Sequence, residues 1–313
     1  MVVRRTRPVP GGSAQRARSA RLGMVGALTG LVLLVTGCAS HPGAAAVVDG
    51  HAIPEQTVQD RTQAFVAENL ADGSAAPTVL ALLNRYQATD VVRHQLVLAA
   101  AQAEGITVTD EQIHQFIQQN GGAPDIARQL TVPSDAVDDA IYDYLVLEQL
   151  ISKIPSDGVP VTDITVTVDV VPAKSRDEAV AARAKYLADP QSMEPDAAAA
   201  RAADPNVPGG SVSLLQNPEA ALAGIFSAPE GEIVLVPQGS TDDYYLVRVT
   251  KRTQSPAKLT QQSTQSVSSL DGHLVLASLL LAHYPAAKDV TVNPRFGDWD
   301  PNTLQVVAGN SGL

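Results

Sequence analysis

The chain has 313 residues, with 22 basic and 33 acidic side chains and a net charge of −11. The first 21 residues hold six of the basic side chains and none of the acidic ones, so the remainder is left with 16 basic against 33 acidic. Such an acidic chain is a poor nucleic-acid binder, because neutralising phosphates requires clustered Lys and Arg. One cysteine excludes an internal disulfide, so packing must stabilise the fold.

That cysteine, Cys38, follows a basic segment and a run of about 14 apolar or small residues, shorter than the roughly 20 that a membrane-spanning helix needs. This order predicts an export signal over residues 1–37. The sequence "LVTGCAS" resembles the bacterial lipobox, which implies that Cys38 is lipidated and begins the mature chain. The alternative is a buried cysteine in an ordinary signal anchor. Residues 38–45 form a short tether in this interpretation.

The segment that follows, to about residue 154, is predicted to be mostly helical, and it contains clear signals for turns and for the ends of helices. "AAAVVDGHAIP" alternates apolar residues around Asp49-Gly50, a dipeptide that favours a tight hairpin. Pro54 suits the first turn of a helix. Apolar residues at helical spacing predict a long helix from about 76 to 104, and Gly105 is a natural stop.

Two further helices follow in this segment. Thr109, with Gln112 three residues later, forms a capping box. Gly121-Gly122 ends the short helix that this box begins. Ser134 is predicted to cap the next helix, which carries apolar residues as far as Ile151.

The pattern changes at about residue 162. Residues 162–253 predict strands with one helix, and "QSPAK" then leads into a further helix over about 259–284. The apolar side of that helix needs a partner. Phe296 and Trp299 in the tail predict a strap pinned to the body of the protein, with a binding element as the alternative.

The order of the elements in the helical segment resembles that of a known protein family. "AAVVDGHAIPEQTV", a long helix ending in "AEGITVTDEQI", and "LTVPSDAVDDAIYDYLVLEQLISKI" resemble the N-terminal chaperone region of the SurA/PrsA-type foldases. Those extracytoplasmic proteins handle unfolded secreted chains. In that family a parvulin prolyl isomerase domain follows, and "ADPNVPGGSVSLL", "IFSAPEGEIVLVPQG" and "DYYLVRV" are similar to its conserved stretches.

The resemblance implies an α+β fold: a helical chaperone lobe that includes a returning C-terminal helix, with an inserted parvulin-like domain. The implied divisions are the signal, the tether, a helical domain over 46–160, a degenerate parvulin-like domain over 161–253, and a C-terminal helix and tail over 254–313. The last of these is expected to pack on the helical domain.

The resemblance also locates the family's functional positions. Parvulins use two histidines and a Cys or Asp beside a pocket for the proline ring. Here the histidine positions fall on Asp169 and Tyr245, and the pocket positions on Asn217 and Ala221. Asp204 is the remaining catalytic candidate, although an Asp before a proline is more often a turn former. Asp169 near Asp204 would bring two carboxylates together.

No other constellation of residues predicts chemistry. The six histidines are dispersed, and we expect neither a metal site nor a cofactor. The sequence therefore predicts a chaperone-like protein, lipid-anchored through Cys38 to the outer face of a bacterial cell membrane. Its expected partners are unfolded or newly secreted polypeptides. The alternatives are an active parvulin-type prolyl isomerase and a non-catalytic cell-envelope adaptor.

Overall fold

A computed structural model describes residues 41–70, 73, 75, 77–238, 243–267 and 269–308. The predicted signal and Cys38 lie outside these described residues. The helices of the described part are α1 Glu55–Asn69, α2 Pro77–Glu104, α3 Asp110–Gln119, α4 Ala123–Leu130, α5 Val137–Ser152, α6 Arg176–Ala188, α7 Met193–Ala203, α8 Gln261–Gln265 and α9 Leu270–Ser278. The strands are β1 Ala44–Val48, β2 His51–Pro54, β3 Val159–Ala173, β4 Gly210–Ser213, β5 Ile233–Pro237, β6 Tyr244–Leu259, β7 Val290–Val292, β8 Asp298–Asp300 and β9 Gln305–Val307. This mixture of helices and antiparallel sheets confirms the α+β class.

The N-terminal hairpin forms as its turn dipeptide predicts. Asp49 and Gly50 both have positive φ angles, 48° and 77°, as a tight turn of the I′ type requires. β1 and β2 pair antiparallel on either side of this turn. On its other edge β1 pairs with β7 near the C-terminus, a partner that the sequence does not predict.

The long helix and the capping box are confirmed. α2 ends at Glu104, and Gly105 follows it with a φ of 62°. The Thr109 side chain accepts from the N–H of Gln112, and the Gln112 side chain accepts from the N–H of Thr109. α4, which begins directly after Gly122, is an additional helix that the sequence does not predict.

The prediction for Ser134 is wrong. Its hydroxyl and its N–H both donate to a carboxylate oxygen of Glu68, each at 2.9 Å, so the side chain caps no helix. A short 3₁₀ turn, Ser134–Ala136, precedes α5 instead. The reason lies in tertiary structure, because α1 brings Glu68 to this position.

A four-stranded antiparallel sheet has the order β4-β3-β6-β5. β3 and β6 pair over their whole lengths, from Val159 opposite Leu259 to Ala173 opposite Tyr244. Alternate residues of β3 are buried on one face of the sheet, and they are Ile164, Val166, Val168 and Val170. The residues "QSPAK", which are predicted to lead into a helix, lie in the last part of β6, because β3 begins early enough to pair with them.

Two predictions of helix number are also wrong. Residues 162–253 contain a second helix, α7, which begins after a 3₁₀ turn at Pro190–Ser192. The helix predicted over 259–284 is divided into α8, α9 and the 3₁₀ turn Leu279–His283. Ser269 starts α9 afresh, because its side chain accepts from the N–H of Gly272.

The C-terminal segment packs on the helices and on the sheet region. α9 contacts α4, α5 and the 3₁₀ turn Pro218–Ala223. Phe296 is 4% exposed, as the predicted strap requires. The strap, which we define as the segment from Phe296 through β8 and β9, contacts α2 through β9. One hydrophobic core includes buried residues of the helices, the sheet and this segment, and the division into domains stays a prediction.

Candidate functional site

Asp204, the predicted catalytic candidate, is a turn former. It lies at the C-terminal end of α7 and is exposed. One oxygen of its side chain accepts from the main-chain N–H of Asn206 at 2.9 Å and from the Asn206 amide at 2.8 Å. This local pattern is the usual role of an Asp in a turn, and it turns the carboxylate to its own loop.

Asp169, at a predicted histidine position, forms an ion pair with a guanidinium. Its carboxylate lies 2.5 Å from Arg248, the residue opposite it in the pairing of β3 with β6. The two side chains are only 13% and 11% exposed. Arg248 also donates to the carbonyl of Pro190. The carboxylate pair expected from Asp169 and Asp204 is therefore replaced by a nearly buried pair of opposite charges.

The remaining predicted positions lie in different environments. Tyr245 lies in β6 between Pro172 and Val236, the residues that it faces on the neighbouring strands. Asn217 is exposed at the start of the 3₁₀ turn Pro218–Ala223, whereas Ala221 within that turn is buried. Of the five predicted positions, Ala221 alone lines the cavity described next.

A cavity of about 210 Å³ lies where α2, the segment 221–234 and β9 meet. Its wall is mainly apolar, and it includes Leu82, Leu130, Val132, Ala223, Val234 and Val306. Part of the polar side of the wall comes from one face of α2. That face carries Arg85, Thr89 and Arg93 at four-residue intervals, which places their side chains in one row along the helix.

Arg85 is one of four charged side chains in the wall of the cavity. It forms neither a hydrogen bond nor an ion pair with any described residue. Burial lowers the pKa of its guanidinium, and the charges of Tyr86 and Glu232 partly oppose that shift. Glu232 also lines the cavity, but its carboxylate is not within ion-pair distance. The donors of Arg85 are therefore open to a ligand.

The other two charged groups that α2 contributes to the cavity, Asp90 and Arg93, are already engaged. Asp90 binds Arg61 at 2.8 Å, and Arg61 also reaches Asp139 at 2.5 Å. Burial raises the pKa of Asp90, although the charge of Arg61 opposes this. Arg93 donates to the carbonyls of Leu304 and Thr303, at 2.8 and 3.2 Å, and burial lowers its pKa to about 10. These contacts fix the wall around Arg85.

A buried His–Asp pair lies farther along α2. Nδ1 of His94 is 2.8 Å from the carboxylate of Asp143 on α5. Burial raises the pKa of Asp143 to about 6, against the opposing effect of His94. For His94, burial would lower the pKa, but the hydrogen bond and charge of Asp143 outweigh burial and raise it.

Sequence reasoning missed both the row on α2 and the His–Asp pair. The sequence does contain a signal for the row on α2. Arg85, Thr89 and Arg93 occur at every fourth position of a predicted helix, which places them on one face. A signal for the pair was present in α5. Asp143 lies three residues after Ala140 and four before Leu147, on the apolar face of that helix.

The described residues offer neither a cluster of metal ligands nor a membrane-spanning helix. No group of three or more His, Cys, Asp or Glu side chains there could hold a metal ion. Within the same part of the chain, no helix has the length and apolar character needed to cross a membrane.

No protein-family model matches the chain, and no curated protein does. Among solved structures, the chain is similar to the foldase protein PrsA from Lactococcus lactis, at 15% identity and a TM-score of 0.25, over 80% of this chain and 95% of that one. It is also similar to the foldase protein PrsA from Streptococcus pneumoniae, at 14% identity and a TM-score of 0.23, over 79% and 94% of the two chains. At these TM-scores neither likeness carries an argument about function.

Proposed function

We propose that this protein is a chaperone-like protein of the SurA/PrsA type that binds unfolded or newly secreted polypeptides without catalysing prolyl isomerisation. The observation that carries the proposal is the open, mainly apolar cavity beside α2. Arg85 in its wall has no hydrogen-bond or ion-pair partner among the described residues. An apolar cleft with a few polar groups is the usual form of a binding site. In this proposal the helical part takes the role of the family's chaperone lobe, and the antiparallel sheet that of its parvulin-like domain.

The positions of the family's catalytic groups support the non-catalytic form of the proposal. Rotation about an X–Pro bond has a barrier of about 18–20 kcal/mol, and an isomerase must bind the twisted amide better than the planar one. Here Asp169 is neutralised by Arg248, and Asp204 is bound to Asn206 within its own turn. Exposed Asn217 and small Ala221 offer little apolar contact to a proline ring.

Suppression of aggregation tests the binding function. A chemically denatured client protein is diluted into buffer with the purified full chain, and light scattering is recorded. We expect scattering to fall as the molar ratio of this protein to client rises. An equal concentration of an inert protein with similar negative charge is the control, because charge alone can discourage association. Equal scattering in the two samples would refute the proposed function.

We further propose that Cys38 carries a lipid that holds the protein on the outer face of the cell membrane. The apolar run and the small residues before the cysteine support this proposal. Cys38→Ala should abolish labelling by an acyl probe and leave an uncleaved or released form. Ser40→Ala, two residues later, should be labelled like the wild type. Unchanged labelling of Cys38→Ala would contradict the anchor.

A further inference from the structure

The face of α2 that reaches the cavity already binds the main chain of the strap. Arg93 donates to the carbonyls of Thr303 and Leu304, and the hydroxyl oxygen of Thr89 accepts from the N–H of Val306 at 2.8 Å. Side chains of the helix thus satisfy main-chain groups of the turn 301–304 and of β9, which follows it. This recognition does not depend on the side chains of the bound segment.

These contacts run antiparallel to α2. Arg93 contacts residues 303 and 304 of the strap, and Thr89, four residues earlier in the helix, contacts Val306. The next step along the helix is Arg85, beside the cavity that Val306 and Ala308 line. Arg85 has the same donors as Arg93 but no acceptor among the described residues.

We infer that Arg85 and the cavity bind an extended, apolar segment of another polypeptide, which continues the mode of main-chain recognition that α2 applies to the strap. A main-chain carbonyl of the bound segment accepts from the Arg85 guanidinium, and an aliphatic side chain of the segment enters the cavity. This inference rests on the proposed function and identifies the site that performs it.

The charges around the cavity favour an internal peptide segment over an anionic ligand. Arg85 and Arg93 line the cavity together with Asp90 and Glu232, so its four charged side chains balance. A peptide group is neutral and dipolar, which matches this balance. A carboxylate would gain Arg85 but would also face Glu232, which acts on the same guanidinium.

Fluorescence anisotropy with a defined probe tests the inference. The probe is a labelled peptide, Ser-Gly-Val-Leu-Val-Gly-Ser, acetylated and amidated at its ends, titrated with the purified full chain. Arg85→Met keeps the apolar stem and removes the donors, so we expect about tenfold weaker binding from the loss of one charge-assisted hydrogen bond. Ala223→Leu should weaken binding similarly by filling the cavity while Arg85 stays intact.

Matched controls separate this effect from a general change of charge or fold. Arg295→Met removes an arginine that is 63% exposed and bound to Glu55, and it should leave the affinity unchanged. Circular dichroism melting confirms that each variant is folded. Because Arg85 has no described partner and Ala223 is half-buried, both variants should melt within a few degrees of the wild type.

Several outcomes would overturn the inference. Unchanged affinity in both folded cavity variants would do so, and so would a probe that binds more than tenfold tighter with a free carboxylate in place of the amide. A large gain in affinity on removal of residues 309–313 would assign the cavity to the chain's own end. If the wild type suppresses aggregation but binds no probe, this inference fails and the proposed function stands. If it does neither, the proposed function fails.

Discussion

The His94–Asp143 pair makes one contact between α2 and α5 dependent on pH. The pKa of Asp143 is raised by burial to about 6, from an ordinary value of 3.8, and the pKa of His94 is also raised. Both groups therefore bind protons more tightly in the folded protein than in the unfolded chain. Their contribution to the free energy of unfolding is present below pH 3.8 and is lost as the pH rises through about 6 and then through the raised pKa of His94.

Asp143→Asn should accordingly flatten the pH dependence of stability. Urea denaturation of the wild type and the variant between pH 4.5 and 7 measures the free energy of unfolding. We expect the fall with rising pH to be smaller in the variant, by an amount on the order of 2 kcal/mol, since one pKa unit corresponds to about 1.4 kcal/mol. Asp138→Asn, with a side chain 64% exposed on the same helix, should behave like the wild type. A parallel decline in all three proteins would show that the pair does not titrate in this way.

Two aspartates of the predicted catalytic region should differ strongly in their effect on stability. Asp169→Ala leaves Arg248 nearly buried without its partner, a change that costs roughly 2–4 kcal/mol. Asp204→Ala removes only hydrogen bonds to Asn206 on the surface and should cost less than about 1 kcal/mol. The measurement is urea denaturation at pH 7. Equal losses in the two variants would contradict the different roles that their contacts indicate.

Among the secondary-structure elements, the strap depends on a few side chains of α2. Arg93 and Thr89 hold it by three hydrogen bonds to its main chain. Arg93→Met should lower the free energy of unfolding by about 1–3 kcal/mol, because it leaves the carbonyls of Thr303 and Leu304 without these donors. Limited proteolysis near residues 301–308 should become faster. The Arg295→Met variant serves as the control, and an unchanged cleavage rate in Arg93→Met would mean that other contacts hold the strap.

Local signals predict some elements well. The Asp49-Gly50 turn, the end of α2 at Gly105 and the capping box at Thr109 all depend on residues close together in sequence. The errors arise where distant residues decide the outcome. Ser134 donates to Glu68 instead of capping a helix, and "QSPAK" pairs with β3 as part of β6. Neither contact can be predicted from a short window of sequence.

The candidate site is less predictable for the same reason. The resemblance to the foldases predicts functional positions at Asp169, Asp204 and Tyr245, and none of these residues lines the cavity. The cavity is lined instead by α2, the segment 221–234 and β9. These parts are more than 200 residues apart in sequence at the extremes. The repeat of Arg85, Thr89 and Arg93 is visible in the sequence. Whether Arg85 has a partner depends on tertiary structure, and it has none in the part of the chain that the structure describes.

At the scale of the whole molecule, the continuous core affects how the proposed chaperone function would operate. Residues of the helices, of one sheet face and of the C-terminal segment share that core, so the cavity where these parts meet has a wall fixed on several sides. Under the proposed function, the acidic composition of the chain would provide repulsion between copies that have bound a client. The proposed function would thus combine a cavity with a fixed wall and an acidic surface that opposes association.

The central claim, binding of unfolded chains without prolyl isomerisation, is tested most directly by refolding a client whose slow phase is limited by proline. Uncatalysed isomerisation of an X–Pro bond takes tens to hundreds of seconds, so even modest catalysis is visible. We predict that the purified full chain raises the yield of refolded client and leaves the rate constant of the slow phase unchanged. A faster slow phase that returns to the uncatalysed rate in Asp204→Ala would contradict the account and identify the protein as a prolyl isomerase.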